Sequence, residues 1–174
     1  MQAKSYKILV RVVLYVSIGL YIASLTQDCY CTTNSCGEKW QGIYITIIGA
    51  LGGTMSAAAL TWYANPKIWV SWVLLKKHSY KSVFFALAAT IVAISFLFFD
   101  KVSGNEDGNQ VTITGYHLGY WLWVASMLVT LTGSFILYPW LKHIKQAESL
   151  QPFEYTEEEL RRIRKKQDKQ FNNL

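Results

Sequence analysis

Three cysteines, Cys29, Cys31 and Cys36, fall in one short segment, Thr26–Trp40. Thiols this close support three chemistries: a structural disulfide, a metal site, or thiol redox exchange. Cys29 and Cys31 are separated by one residue, which strains a bond between them. Cys36 therefore pairs with Cys31 or with Cys29, and the remaining thiol is free, lipidated or joined to another chain. A redox dithiol usually stands as Cys-x-x-Cys at a helix start, and that spacing is absent. A metal would need a further donor, for which Asp28 and His117 are the nearest choices. A structural disulfide is the expected outcome, with no metal and no cofactor.

Other chemistry finds little footing. His78, His117 and His143 stand near the ends of apolar runs rather than deep inside them, so a bis-histidine haem between helices is not expected. His117 reads as an interfacial polar residue. The chain has no Gly-x-Ser-x-Gly, Walker loop or His-Glu-x-x-His. No acid falls inside an apolar run, where a proton-coupled transporter normally carries one. No catalytic set emerges. The expected role is a non-catalytic accessory, scaffold or immunity-type subunit acting through contacts. A small oligomeric channel or transporter subunit, with Ser126 and Thr130 near its path, is the alternative, and a membrane thiol-redox protein a weaker one.

The elements that would carry these residues are long apolar segments separated by charged ones, which is a membrane pattern. The chain is 52% hydrophobic and 15% aromatic over 174 residues, more than a small soluble domain usually carries. Spans are expected over residues 8–25, 41–63, 80–99 and 117–141. The fold class is thus an all-α membrane protein: a four-transmembrane-helix bundle with a short interfacial helix and a Cys-containing exoplasmic cap. The first span reads as an uncleaved signal-anchor helix, with Arg11 snorkelling to the headgroups. The span 41–63 holds no charge and carries Gly49, Gly53 and Ala57 on one face, with Gly52 and Ser56 beside them. Such small-residue faces let helix backbones approach closely.

Asn65 as N-cap and Pro66 at the first position would start a short helix over 67–77. Its apolar core is too short to cross, so it is expected to lie along the inner interface. Ala86, Ala89 and Ala93 stripe the third span, and Ser126, Thr130 and Ser134 the fourth. Between those two spans, a turn-rich run and the β-prone Val111–Thr114 suggest a hairpin. Residues 142–174 form a basic tail with a helix at about 157–171, whose Thr156 and Glu159 match a capping box.

Charge gives the orientation. Residues 1–11 carry three Lys or Arg, Lys67–Lys81 four, and the tail eight, whereas the other two loops hold only Lys39 and Lys101. Both termini are therefore expected in the cytoplasm. Trp40, Trp121 and Trp123 would anchor the outer interface, and Trp62, Trp69, Trp72 and Trp140 the inner one. The formal charge of +6 fits this asymmetry, and no nucleic-acid motif accompanies it. The expected partners are the lipid bilayer and either further copies of the chain or another membrane protein.

Cys29-Tyr30-Cys31, Cys36-Gly37, Ala64-Asn65-Pro66 with Ser71-Trp72, and Gly119-Tyr120-Trp121-Leu122-Trp123 together resemble a group of small bacterial four-span proteins of uncharacterised function. The resemblance covers Cys29 to Gly133. It implies a bacterial inner membrane and the same four-helix plan, and brings no enzyme activity. The Cys-bearing first loop is also similar to that of claudins and tetraspanins, but their cysteine signatures are missing.

Overall fold

The computed structural model describes residues 3–34, 36, 41–52, 58–103, 110–150, 161 and 164–165. In chain order these form α1 (Ala3–Leu25), β1 (Tyr30–Thr32), α2 (Gly42–Gly52), a 3-10 helix η1 (Ala58–Tyr63), α3 (Ala64–Lys76), α4 (Lys81–Ser95), a 3-10 turn (Phe96–Phe98), β2 (Lys101–Ser103), β3 (Gln110–Tyr116) and α5 (Leu118–Leu150). The chain divides into two units, Met1–Leu141 and Lys142–Leu174.

Three described helices are long and apolar enough to cross a membrane: Lys4–Leu25, Lys81–Phe98 and Leu118–Ile144. Their surfaces invert the soluble pattern. Large apolar side chains such as Val16, Ile22, Phe84, Ile91 and Phe135 are exposed, while Ser17, Ser82, Ser126, Thr130 and Ser134 are buried. Water would penalise so broad an apolar exterior.

The stretch 41–63 is not one helix. The indole N–H of Trp62 donates to the carbonyl of Thr46 at 2.8 Å. Sixteen residues of straight helix would hold those groups roughly 24 Å apart, so α2 and η1 pack side by side rather than forming one straight helix. α2 packs against the last turns of α1 and against η1. Its exposed face consists of Ile43, Tyr44, Ile47 and Ile48.

The helix expected at the interface instead lies among the others. α3 follows η1 directly and packs most extensively on α4, with Ile68, Ser71 and Leu75 buried. Asn65 meets Tyr21, near the end of α1, and Trp123, near the start of α5. Trp72 meets Ser17 and Thr130, midway along both. His78 packs against the Tyr6 ring, near the start of α1. η1–α3 therefore runs antiparallel to α1 and parallel to α5. At about 2.0 Å per 3-10 residue and 1.5 Å per α residue, it is roughly 30 Å long.

Local chemistry explains the continuity. Asn65 does not cap: α3 starts at Ala64, and the Asn65 side chain is buried. Pro66 falls in the first turn, where backbone N–H groups have no intrahelical acceptor to lose. α3 closes with paired bonds, Ser79 N–H to Leu74 O and His78 N–H to Leu75 O. His78 takes the left-handed conformation (φ 54°) that this motif requires.

The alanine stripe of α4 is fully buried, Ala86, Ala89 and Ala93 alike. At one end of the helices, β1, β3 and β2 form an antiparallel sheet in that order. The expected hairpin is β2–β3, pairing Lys101 with Thr112 and Ser103 with Gln110. The third strand, β1, comes from the cysteine loop and pairs Tyr30 with Tyr116. In the tail, α5 continues to Leu150, and residues 161, 164 and 165 are helical. The remainder of the expected 157–171 helix lies outside the described residues.

Candidate functional site

The sheet brings the cysteines and His117 together. β1 places Cys31 opposite Gly115, two residues before His117. Backbone bonds tie the residues before Cys31 to the starts of two helices. His117 N–H donates to Cys29 O at 2.8 Å, Gly119 N–H to Asp28 O at 2.9 Å, and Gly42 N–H to Gln27 O at 3.0 Å. Three successive carbonyls thus satisfy donors at the starts of α2 and α5, groups a helix leaves unpaired. Gly119 permits the approach: a Cβ there would lie 2.7 Å from the carbonyl oxygens of both Gln27 and Asp28.

Cys31 and Cys36 form a disulfide, with Cα atoms 4.5 Å apart. This selects one of the two pairings open from the spacing. Cys31 is buried and Cys36 exposed. His117, which the sequence marks only as an interfacial residue, presents Nε2 3.0 Å from Cys31 Sγ and 3.9 Å from Cys36 Sγ. Among the described residues, these three are the one group of donor side chains close enough to hold a metal ion. Asp28, the other expected donor, is not in that group. Cys29 is a free thiol. Burial, and after it the neighbouring Asp28 charge, pushes its pKa up to about 12. It is a poor nucleophile in the fold, because the thiolate is the reactive form.

A second constellation fills the interior. Ser17 donates to Ser126 O at 2.8 Å and shares a bond with Thr130 at 2.7 Å. The Trp72 indole N–H reaches both hydroxyls, Ser17 at 2.9 Å and Thr130 at 3.1 Å. Toward the far end, Ser71, Ser82 and Ser134 form a hydroxyl chain across α3, α4 and α5, with both links at 3.0 Å. Toward the sheet, Asn65 Oδ1 accepts from Trp123 Nε1 at 2.8 Å and from the Tyr21 hydroxyl at 3.2 Å.

Three of the tryptophans expected as anchors take part in such bonds. Trp62, Trp72 and Trp123 are half-buried donors between helices, and Trp72 sits midway rather than at an end. Trp69 packs edge-on to Tyr21 and Trp62, in the sheet-side half. Trp121 and Trp140 are exposed. Of the small-residue face, Gly49 lies against the Trp62 indole, where a Cβ would overlap the ring. Gly52 ends α2. Gly53, Ser56, Ala57 and Trp40 lie outside the described residues.

The Ser126, Thr130 and Ser134 stripe bonds between helices, but the sequence does not mark Ser17, Trp72 or Ser82 as its partners, nor Asn65 as the acceptor for Trp123 and Tyr21. The signal for Ser17 was a lone hydroxyl midway along an apolar helix, a group that must find an acceptor in lipid. No family model, curated relative or solved structure matches the chain.

Proposed function

We propose that the chain is a multi-pass membrane protein with four crossing segments, α1, η1–α3, α4 and α5, that acts through contacts as an accessory, scaffold or immunity-type subunit. The observation that carries this reading is the closed polar interior. The hydroxyls and indoles facing inward bond to one another between helices, which suits a rigid support more than a conduit. Ser126 and Thr130, the residues a channel would place along its path, are fully buried and bonded within the chain.

On this reading α2, with its exposed apolar face, is the interfacial helix, on the sheet side. Lys4, Lys7, Lys76, Lys77 and Lys81 group at the end opposite the sheet, which favours cytoplasmic termini and an exoplasmic sheet in a bacterial inner membrane. The resemblance to small four-span proteins agrees with that location. The surfaces left for partners are the sheet, further copies of the helical exterior, and the basic tail.

The test is native mass spectrometry of protein extracted gently from its own membrane, with and without reductant. A stoichiometric foreign subunit is the expected result. A closed homo-oligomer, with liposome flux that is lost on Gly53→Leu, would replace this reading with a channel. His117 beside the Cys31–Cys36 disulfide favours a second reading, thiol exchange at the sheet. It requires that Cys31→Ser abolish disulfide transfer to a partner without unfolding the chain; retained transfer would exclude it.

A further inference from the structure

We infer that Cys31, Cys36 and His117 form a reduction-gated site for a thiolate-preferring cation of the Zn2+ type. Such an ion takes thiolate sulfur at about 2.3 Å and imidazole nitrogen at about 2.0–2.1 Å in tetrahedral geometry. Those bond lengths place nitrogen roughly 3.6 Å from each sulfur and the two sulfurs about 3.8 Å apart. His117 Nε2 stands 3.0 Å from one sulfur and 3.9 Å from the other, bracketing the required value. The imidazole thus needs little movement; the sulfurs must separate once their bond is broken.

The spacing agrees. Cys31 and Cys36 are separated by four residues, within the Cys-x2–4-Cys range common to zinc sites. The backbone supports the geometry. Cys31 is fixed in β1, and His117 is held by its N–H bond to Cys29 O. Cys36 and His117 are exposed, so an ion can enter and solvent can fill the fourth position.

The gate is the disulfide itself. Reduction breaks the S–S bond; two electrons and two protons come from an external dithiol, which closes to its own disulfide. Binding of Zn2+ then releases the two thiol protons to solvent, leaving two thiolates and a neutral imidazole around the ion. Oxidised chain cannot bind, because both sulfurs are committed to each other. Cys29 stays outside the site, so a thiol is present in both redox states and only the pair changes.

The experiment uses the full chain in detergent, reduced with a phosphine or left oxidised, and titrated with Zn2+. Metal content is read by elemental analysis, and Co2+ substitution supplies thiolate-to-metal absorption. The reduced chain should bind one Zn2+ and the oxidised chain none. Loss of a group that merely orients a ligand costs about 10–100-fold in affinity, so His117→Ala should cost at least that. Cys36→Ser should abolish the Co2+ thiolate band typical of a two-sulfur site, whereas Cys29→Ser should leave binding unchanged. Because Cys31→Ser removes a buried residue, the exposed Cys36 and His117 carry the test. Equal Zn2+ binding by oxidised chain, no binding by folded reduced chain, or unchanged affinity in His117→Ala would each overturn the site.

Discussion

At the scale of single residues, burial divides the three cysteines. Cys29 keeps its proton to about pH 12 in the fold, against about 8.5 in an unfolded chain. Between those values the unfolded state loses a proton that the folded state retains. Stability therefore falls as pH rises through that window. Cys29→Ser removes this contribution, so wild type and variant should diverge only on the alkaline side, in unfolding midpoints measured from about pH 7 upward. Native alkylation of Cys29 near neutral pH should be slow and should become fast on denaturation. Gly119 offers a steric counterpart. Gly119→Ala sets a methyl against two backbone carbonyls that cannot rotate away. Overpacking costs about 1–3 kcal/mol, and the upper part of that range is expected in a detergent unfolding titration.

At the scale of elements, the interhelical bonds rank the consequences of removing them. Asn65→Ala strands two donors, Trp123 Nε1–H and the Tyr21 hydroxyl, at roughly 1–3 kcal/mol each. Trp72→Phe removes one donor from a cluster whose Ser17 and Thr130 still bond each other, so about 1 kcal/mol is expected. SDS unfolding midpoints should therefore place Asn65→Ala well below Trp72→Phe; the reverse order would contradict the assigned partners. These helices are unequally legible in the sequence. α1, α4 and most of α5 announce themselves by length and hydropathy, and the alanine and hydroxyl stripes by period. The packing of α2 against η1 was hidden, because hydropathy measures how long an apolar run is and not whether it is one straight helix. α3 was disguised in the opposite sense. Pro66 and Lys67 look like breaks, yet Pro66 falls where its missing N–H is harmless. Lys67 donates to Tyr63 O at 3.1 Å and lies 5.6 Å over the Tyr63 ring.

At the scale of the molecule, charge pattern and structure share one organisation: most lysines of the helical unit at one end, sheet and disulfide at the other. The disulfide was half legible, as a choice of two pairings. His117 was not legible as its neighbour, because 86 residues separate it from Cys31 and only β1–β3 pairing closes the distance. The exchange of roles between the 41–63 stretch and the 67–77 helix is the largest departure from the hydropathy reading, and the proposed path of the chain through a bilayer rests on it. Leu60, exposed near the start of η1, tests it most directly. If η1–α3 crosses, Leu60 lies at the sheet side and Lys77 at the opposite one, whereas a crossing 41–63 helix would put both at the same end. In a Cys29→Ser background that keeps the Cys31–Cys36 disulfide, single cysteines at Leu60, Lys77 and Lys101 are probed with an impermeant maleimide in sealed vesicles of one orientation. Labelling of Leu60→Cys and Lys101→Cys from one face, with Lys77→Cys reached only from the other, is the predicted result. Labelling of Leu60→Cys and Lys77→Cys from the same face would contradict it and restore 41–63 as the crossing segment.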